Sequence, residues 1–186
     1  EKPRLVSNPP NPFDSVSRTY LEETPRTELH IYEERAKSIL SENSSPDLHF
    51  RWSLNPYRGC QHACAYCYAR ERHELLGFGA GTDFENKIVV KTNAPALLRE
   101  ALAKKGWLGE PIMFSGDTDC YQPVEASFEL TLRCLEACLE HGNPVGIITK
   151  SFLIVRDAAL LKELARTAGV EVTFSIPYAD DALGQK

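Results

Sequence analysis

The sequence predicts an α/β fold assembled from parallel strand–helix units. Short apolar or β-branched runs, such as Lys87–Lys91 (KIVVK), Pro111–Phe114 (PIMF) and Val145–Ile148, alternate with segments of helical periodicity at a nearly constant interval. That alternation indicates parallel strands joined by right-handed crossovers. Composition agrees with it. The chain has 186 residues, 42% of them hydrophobic and 25% charged, which suits one globular domain with a real core.

Taken in order, residues 1–47 are expected to form a mostly irregular arm. Pro3, Pro9, Pro10 and Pro12 interrupt regular structure and favour extended backbone. Thr27–Leu40 is expected as a short helix on the weak periodicity of Ile31, Ala36 and Ile39, and Ser41–Asp47 (SENSSPD) as a loop. Such an arm serves either as a flap over a site or as a packing extension. The core domain is placed at residues 48–186 and opens with a strand at His49–Leu54. Ala65–Leu76 is helical in pattern and is ended by Gly77, Gly79 and Gly81. After the KIVVK strand, Pro95 sits just inside a helix that runs through Leu98, Ala101 and Leu102 to Gly106. PIMF follows, and then one long helix, Glu125–His141, with Phe128, Leu132, Leu135 and Leu139 on a single apolar face. The strand at Val145–Ile148, a helix over Asp157–Ala168 closed by Gly169, and a strand at Val170–Ile176 complete the pattern. Only four or five strands are visible. The chain is therefore expected either to lack the closing part of its domain at the C-terminal side or to build a last unit differently; Glu1 in place of Met suggests a missing start as well.

The chemistry concentrates in Asn55–Arg70, NPYRGCQHACAYCYAR. Cys60, Cys64 and Cys67 are spaced Cys-x3-Cys-x2-Cys, with Tyr66 before the last. Three thiols in eight residues on one short stretch point to a metal. Structural zinc takes four protein ligands; no partner Cys-x2-Cys pair exists, although His62 or His73 could supply a fourth. A disulfide framework fits poorly, because a chain of this length needs no staples. Electron-transfer clusters usually have four cysteines. Three thiolates without a fourth fit best an iron–sulfur cube with one iron left open for a small molecule. Of the other cysteines, Cys134 and Cys138 lie on the long helix close to its apolar stripe and read as small buried hydrophobes.

The segment Cys60-x3-Cys64-x-Tyr66-Cys67 resembles the signature of the radical S-adenosylmethionine (radical SAM) enzymes, in which an aromatic residue precedes the last cysteine. The flanking Asn55-Pro56-Tyr57-Arg58-Gly59 and Tyr68-Ala69-Arg70 resemble the branch of spore photoproduct lyase and proteins of the "DNA repair photolyase" type. The resemblance covers roughly Phe50 to Pro177. It implies a partial (β/α) barrel, open on one side, with function gathered at the carboxyl ends of the strands. It also implies a 4Fe–4S cluster whose fourth iron binds S-adenosylmethionine, whose one-electron cleavage gives a 5′-deoxyadenosyl radical that abstracts hydrogen from substrate.

Candidate contacts to the cofactor follow from those strand ends. Tyr66 belongs to the signature. Ser115-Gly116-Asp117 after PIMF resembles the family's Gly-Gly-Glu-like grip on the methionyl amine, with Ser for the first Gly and Asp for Glu; alternatively it is a turn rich in capping groups. Thr149 and Lys150 after the next strand, and Ser175 near the end of the last, offer hydroxyl and ammonium groups to a ribose or carboxylate. Cys120 lies in the loop after PIMF, near where spore photoproduct lyases keep a hydrogen-donating cysteine, so it is the candidate catalytic thiol; Asp117 stands where that donor would be, and a buried, inert Cys120 is the competing reading. The partners implied are S-adenosylmethionine and an electron donor such as flavodoxin or ferredoxin. Nucleic acid is suggested by kinship alone, and a net charge of −5 argues against a strongly basic surface. No apolar run nears the ~20 residues of a membrane span, no secretory signal pattern opens the chain, and free thiols with an oxygen-labile cluster suit a reducing cytoplasm. The alternative in another class is a non-catalytic zinc or iron–sulfur module serving structure or partner recognition.

Overall fold

The computed structural model describes residues 28–177. The proline-rich stretch at residues 3–12 lies outside them. The expected parallel sheet is present. Strands β3 (Trp52–Leu54), β6 (Ile112–Phe114), β7 (Val145–Thr149) and β8 (Val170–Phe174) run parallel in that order, and β2 (Leu40–Glu42) adds antiparallel to β3 at the edge. The register aligns Leu54, Phe114 and Ile147 across the strands. Because side chains alternate along a strand, this row shares one face. Against it pack Leu98 and Leu102 of α2 (Ala94–Leu102), Cys134, Leu135 and Cys138 of α4 (Leu130–Glu140), and Leu164 of α5 (Ala158–Thr167), all buried in one core. Burying each large apolar side chain contributes about 1.5–3 kcal/mol.

The sequence reading needs correction in several places. KIVVK is a strand, β5 (Lys87–Lys91), but it joins a second sheet of order β1-β5-β4, parallel to β1 (His30–Glu34) and antiparallel to the two-residue β4 (Tyr57–Arg58). The described residues therefore form a mixed α/β arrangement of two sheets and not a full barrel. The helix expected over Thr27–Leu40 is replaced by β1 and the start of β2. Its weak periodicity yields to a five-residue ladder in which Ile31 pairs with Ile88 and Glu33 with Val90, an instance of pairing partners overriding local preference.

The long helix is broken. α3 (Glu125–Phe128) ends at Glu129, a left-handed residue with φ 52°, before α4 begins. The break rephases the helix, so Phe128, Leu132 and Leu139 are only half-buried while Leu130, Thr131, Cys134, Leu135 and Cys138 face inward. Ala65–Leu76 is helical only from Tyr68, as a 3-10 helix (Tyr68–Leu76) capped by left-handed Gly77. A one-turn helix α1 (Asp83–Asn86) and a 3-10 helix at Phe152–Asp157 were not anticipated. Among the described residues no helix is long and apolar enough to cross a membrane.

Candidate radical SAM site

β3 ends at Leu54, and six residues later the chain reaches Cys60. Gly59 makes that approach possible. Its φ is +75°, and a Cβ there would stand 2.8 Å from the Phe84 carbonyl oxygen and 2.9 Å from that of Lys87, so no other residue fits without moving backbone. The Cys60 amide donates to the same Phe84 carbonyl at 2.8 Å. Ala63, between the first two cysteines, is left-handed at φ 54°, a conformation that costs a non-glycine residue on the order of 1 kcal/mol. Arg70 offsets that cost. Its guanidinium donates to the carbonyls of Ala63 (3.0 Å), Cys64 (3.0 Å), Ala80 (3.2 Å) and Gly81 (2.8 Å) and pairs with Glu85 at 2.9 Å. From the other side two glutamines grip the loop. Buried Gln122 accepts from the Gln61 amide at 3.0 Å and donates to the Gly59 carbonyl at 3.0 Å, while Gln61 accepts from the Val124 amide at 2.7 Å. Backbone turn bonds from Ala63 to Cys60 and from Cys67 to Cys64 are thus reinforced by side chains that satisfy the loop's remaining backbone groups.

Cys60 is buried, Cys64 and Cys67 half-buried. Burial pushes the Cys60 thiol up to about 11, and the Cys64 thiol adds to the rise. A thiolate there needs a compensating cation, which ligation to iron or zinc supplies. Among the described residues no three His, Cys, Asp or Glu side chains converge closely enough to hold a single metal ion. A cube gives each cysteine its own iron, so its sulfurs need not meet at one point. The donor set on this loop is three thiols.

The remaining candidates fall into two groups. The first gathers around Tyr66, whose ring is largely exposed beside the cysteine loop. The Lys150 ammonium lies 5.9 Å from the Tyr66 ring centroid and donates to the Ser175 hydroxyl. Buried Thr149 donates to Asp119 at 2.8 Å, as does the Lys150 amide at 2.8 Å. Asp119 also receives the Tyr121 amide at 2.9 Å and stands 3.2 Å from His62 Nε2 on the cysteine loop. Burial alone would raise this carboxyl, but His62 beside it and the hydrogen bonds it accepts from the Lys150 amide, Thr149 and the Tyr121 amide hold it below the usual carboxylate range.

The second group gathers around Tyr68 and Arg72. Tyr68 donates to the Gly116 carbonyl at 2.7 Å, and Arg72 stands 3.1 Å from the Asp117 carboxylate. Gly116 lies so close to β3 that a Cβ would be 2.9 Å from that of Ser53. Asn55 Oδ1 accepts the amides of Asp117 (2.9 Å) and Thr118 (3.2 Å), tying the two strand ends together. Burial raises the Asp117 carboxyl above its ordinary value against the opposing pull of Arg72, Lys91 and Arg58. Gly116 and Asp117 line a cavity of about 260 Å³ that Thr149, Lys150 and Ser175 do not line. Ser115 faces neither group with its hydroxyl. At φ 71° it accepts the Cys120 amide at 2.9 Å and so holds its own turn.

Cys120 does not have the exposure expected of a hydrogen donor. It is fully buried within the main core, Thr131 donates to its carbonyl at 2.6 Å, and burial pushes its thiol well up. Cys134 and Cys138 are fully buried, as expected of small hydrophobes. Arg70, Gln61, Gln122 and Asp119 were not singled out by the sequence reading, although Arg70 lies in the flank that carries the family resemblance and Asp119 is two residues beyond Asp117. Apart from the Tyr121 amide on Asp119, two positions on, their partners are 6 to 63 positions away, and spacing does not reveal such pairs.

Residues 54–184 match the model of the radical SAM superfamily. The chain belongs to that superfamily. An uncharacterized protein of Mycobacterium tuberculosis is 40% identical over 156 residues, 83% of this chain and 46% of the relative. One from Methanocaldococcus jannaschii is 31% identical over 150 residues, 81% and 52% respectively. One from Acidianus two-tailed virus is 32% identical over 116 residues, 60% and 38% respectively. The chain thus spans about half the length of the curated relatives it matches. No solved structure matches it. Radical SAM proteins are enzymes that use an iron–sulfur cluster and S-adenosylmethionine, and the radical SAM match begins at Leu54, the last residue before the site's loops.

Proposed function

We propose that the chain is the catalytic core of a radical SAM enzyme in which Cys60, Cys64 and Cys67 hold a 4Fe–4S cluster and the loops after β6, β7 and β8 receive S-adenosylmethionine. The observation that carries this reading is three thiols on one clamped loop, without a fourth, at the carboxyl end of a strand whose parallel neighbours end in Gly116–Asp117, Thr149–Lys150 and Ser175. When bound, the cluster and S-adenosylmethionine supply a 5′-deoxyadenosyl radical by one-electron cleavage of the sulfonium.

The chain's own residues orient the reactants. Asp117 receives the methionyl ammonium, and Gly116 leaves room beside it. Lys150, with Ser175 and Tyr66 around it, meets carboxylate or ribose oxygens. Asp119 sets the Thr149–Lys150 backbone against the cysteine loop through His62. Cys67, half-buried, leaves the loop open for an electron donor of the flavodoxin or ferredoxin kind. The resemblance of residues 55–59 and 68–70 to the spore photoproduct lyase branch favours hydrogen abstraction from nucleic acid as the reaction class.

Anaerobic reconstitution of the chain tests the core of this proposal. About four iron and four sulfide per chain are expected, with 5′-deoxyadenosine formed on reduction with S-adenosylmethionine. Cys64→Ala should lose both. Full cluster retention in Cys64→Ala, or no deoxyadenosine from loaded parent protein, would sink the assignment.

A further inference from the structure

The cavity beside Gly59 and Asp117 has a charge that cofactor binding does not use up. Arg58, Arg72 and Lys91 line it, and the only carboxylate among its lining residues is Asp117. Arg72 pairs with Asp117, and Arg58 reaches Glu34, outside the lining, at 3.5 Å. Counting both acids, one cation remains in excess. That cation is Lys91. Its ammonium donates to the Asn55 carbonyl at 2.9 Å and, among the described residues, pairs with no carboxylate. Burial, and then the like charge of Arg58, lower its pKa. A half-buried ammonium beside another cation carries a cost that an anion would relieve. Among the described residues, the buried His73 Nε2, in the lining of the same cavity, makes no hydrogen bond. At about 260 Å³ the space admits a substituent such as a phosphate or carboxylate with part of the molecule that bears it.

We propose that this cavity binds an anionic group of the substrate, a phosphate or a carboxylate, through Arg58, Arg72 and Lys91. The guanidinium forks suit the paired oxygens of such a group, and Lys91, also in the lining, provides a point charge. Gly59 lies in the cavity wall and is followed by Cys60, so an anion here anchors a substrate next to the cysteine loop. The placing of the substrate rests on the radical SAM reading; the binding of the anion does not.

The test titrates inorganic phosphate and, separately, acetate into the purified chain, followed by calorimetry and by 31P line width for phosphate. Saturable binding of either anion is expected, the tighter one naming the group. Arg72→Gln and Lys91→Met should each weaken it about tenfold or more, the loss of one charge-assisted contact, while Lys104→Gln on the exposed surface should not. Arg72 is largely exposed, so its variant should fold even if Lys91→Met does not. No saturable binding of either anion, or equal binding in parent and Arg72→Gln, overturns the proposal. A second titration uses cluster-loaded protein with S-adenosylmethionine. Unchanged phosphate or acetate affinity supports a substrate site, whereas competitive displacement assigns the cavity to the cofactor and overturns it. Iron, sulfide and deoxyadenosine measured on the same preparation report on the radical SAM reading independently, since protein that binds anions but forms no cluster upholds the cavity and refutes that reading alone.

Discussion

The sheet face beneath α2, α4 and α5 and the strand ends that carry the cysteine loop are stabilised by opposite means. Beneath the helices, Leu54, Phe114, Ile147, Leu98, Leu135 and Leu164 exclude water almost completely, and the stabilisation scales with apolar area and is indifferent to direction. At the strand ends, Arg70, Gln122, Asp119 and Asn55 hold backbone by directed hydrogen bonds. Each such bond adds only about 0.5–1.5 kcal/mol net, yet together they fix where three sulfurs lie. One layer keeps the chain folded; the other keeps the loop in a chosen shape, as a preorganised site requires.

The largest expected effect comes from the residue that joins the two layers. Glu125 is fully buried. Its carboxylate accepts from the Tyr57 hydroxyl just ahead of the cysteine loop, receives the Thr131 and Leu132 amides that open α4 at 2.9 and 3.2 Å, and pairs with Arg156 at 2.7 Å. Arg156 continues to Asp157, which the Tyr121 hydroxyl also meets at 3.0 Å. Glu125→Ala strands the buried Tyr57 hydroxyl and the Thr131 and Leu132 amides and leaves Arg156 with Asp157 as its one carboxylate partner, so a loss of about 3–5 kcal/mol in unfolding free energy is expected by denaturant titration. A loss below 1 kcal/mol would mean that the network does not connect the layers.

Separating the layers gives a sharper comparison. Leu135→Ala removes a fully buried core side chain and should cost about 2–5 kcal/mol, with iron per folded chain unchanged. Arg70→Met should cost less, about 1–3 kcal/mol for several loop contacts, yet lower the iron retained per folded chain. Iron content after reconstitution, normalised to the folded fraction, decides between them. Equal iron in both variants would show that the loop's shape does not depend on its clamp.

The same division explains what was legible in the sequence. Strands β6, β7 and β8, the helices that follow β5 and β7, and the burial of Cys134 and Cys138 were readable because apolar pattern records burial directly. The three cysteines were readable because their spacing is local. The break at Glu129 was not, since it depends on Glu125 supplying hydrogen-bond acceptors to the first amides of α4. Nor was β1, whose HIYEE ladder with β5 joins residues 57 positions apart. Asp117 and Lys150 are both at strand ends, as parallel topology requires, but only the folded chain separates the cavity at Asp117 from the cluster of side chains at Tyr66.

The smallest expected effect concerns Cys120, placed by sequence in a strand-end loop and by structure in the apolar layer. Its thiol has no exposed surface, and its backbone is pinned on both sides, amide to Ser115 and carbonyl to Thr131. Removing one sulfur from such a place leaves a small void, so Cys120→Ala should cost about 1–2 kcal/mol. Because the thiol belongs to the layer that packs and not the layer that positions, cluster content and deoxyadenosine yield per folded chain should match the parent. Once a substrate is known, its rate and product should match too. A hundredfold loss of turnover with cluster and S-adenosylmethionine binding intact would place the thiol in the reaction, and would require the 115–122 loop to open so that Cys120 can reach a substrate radical.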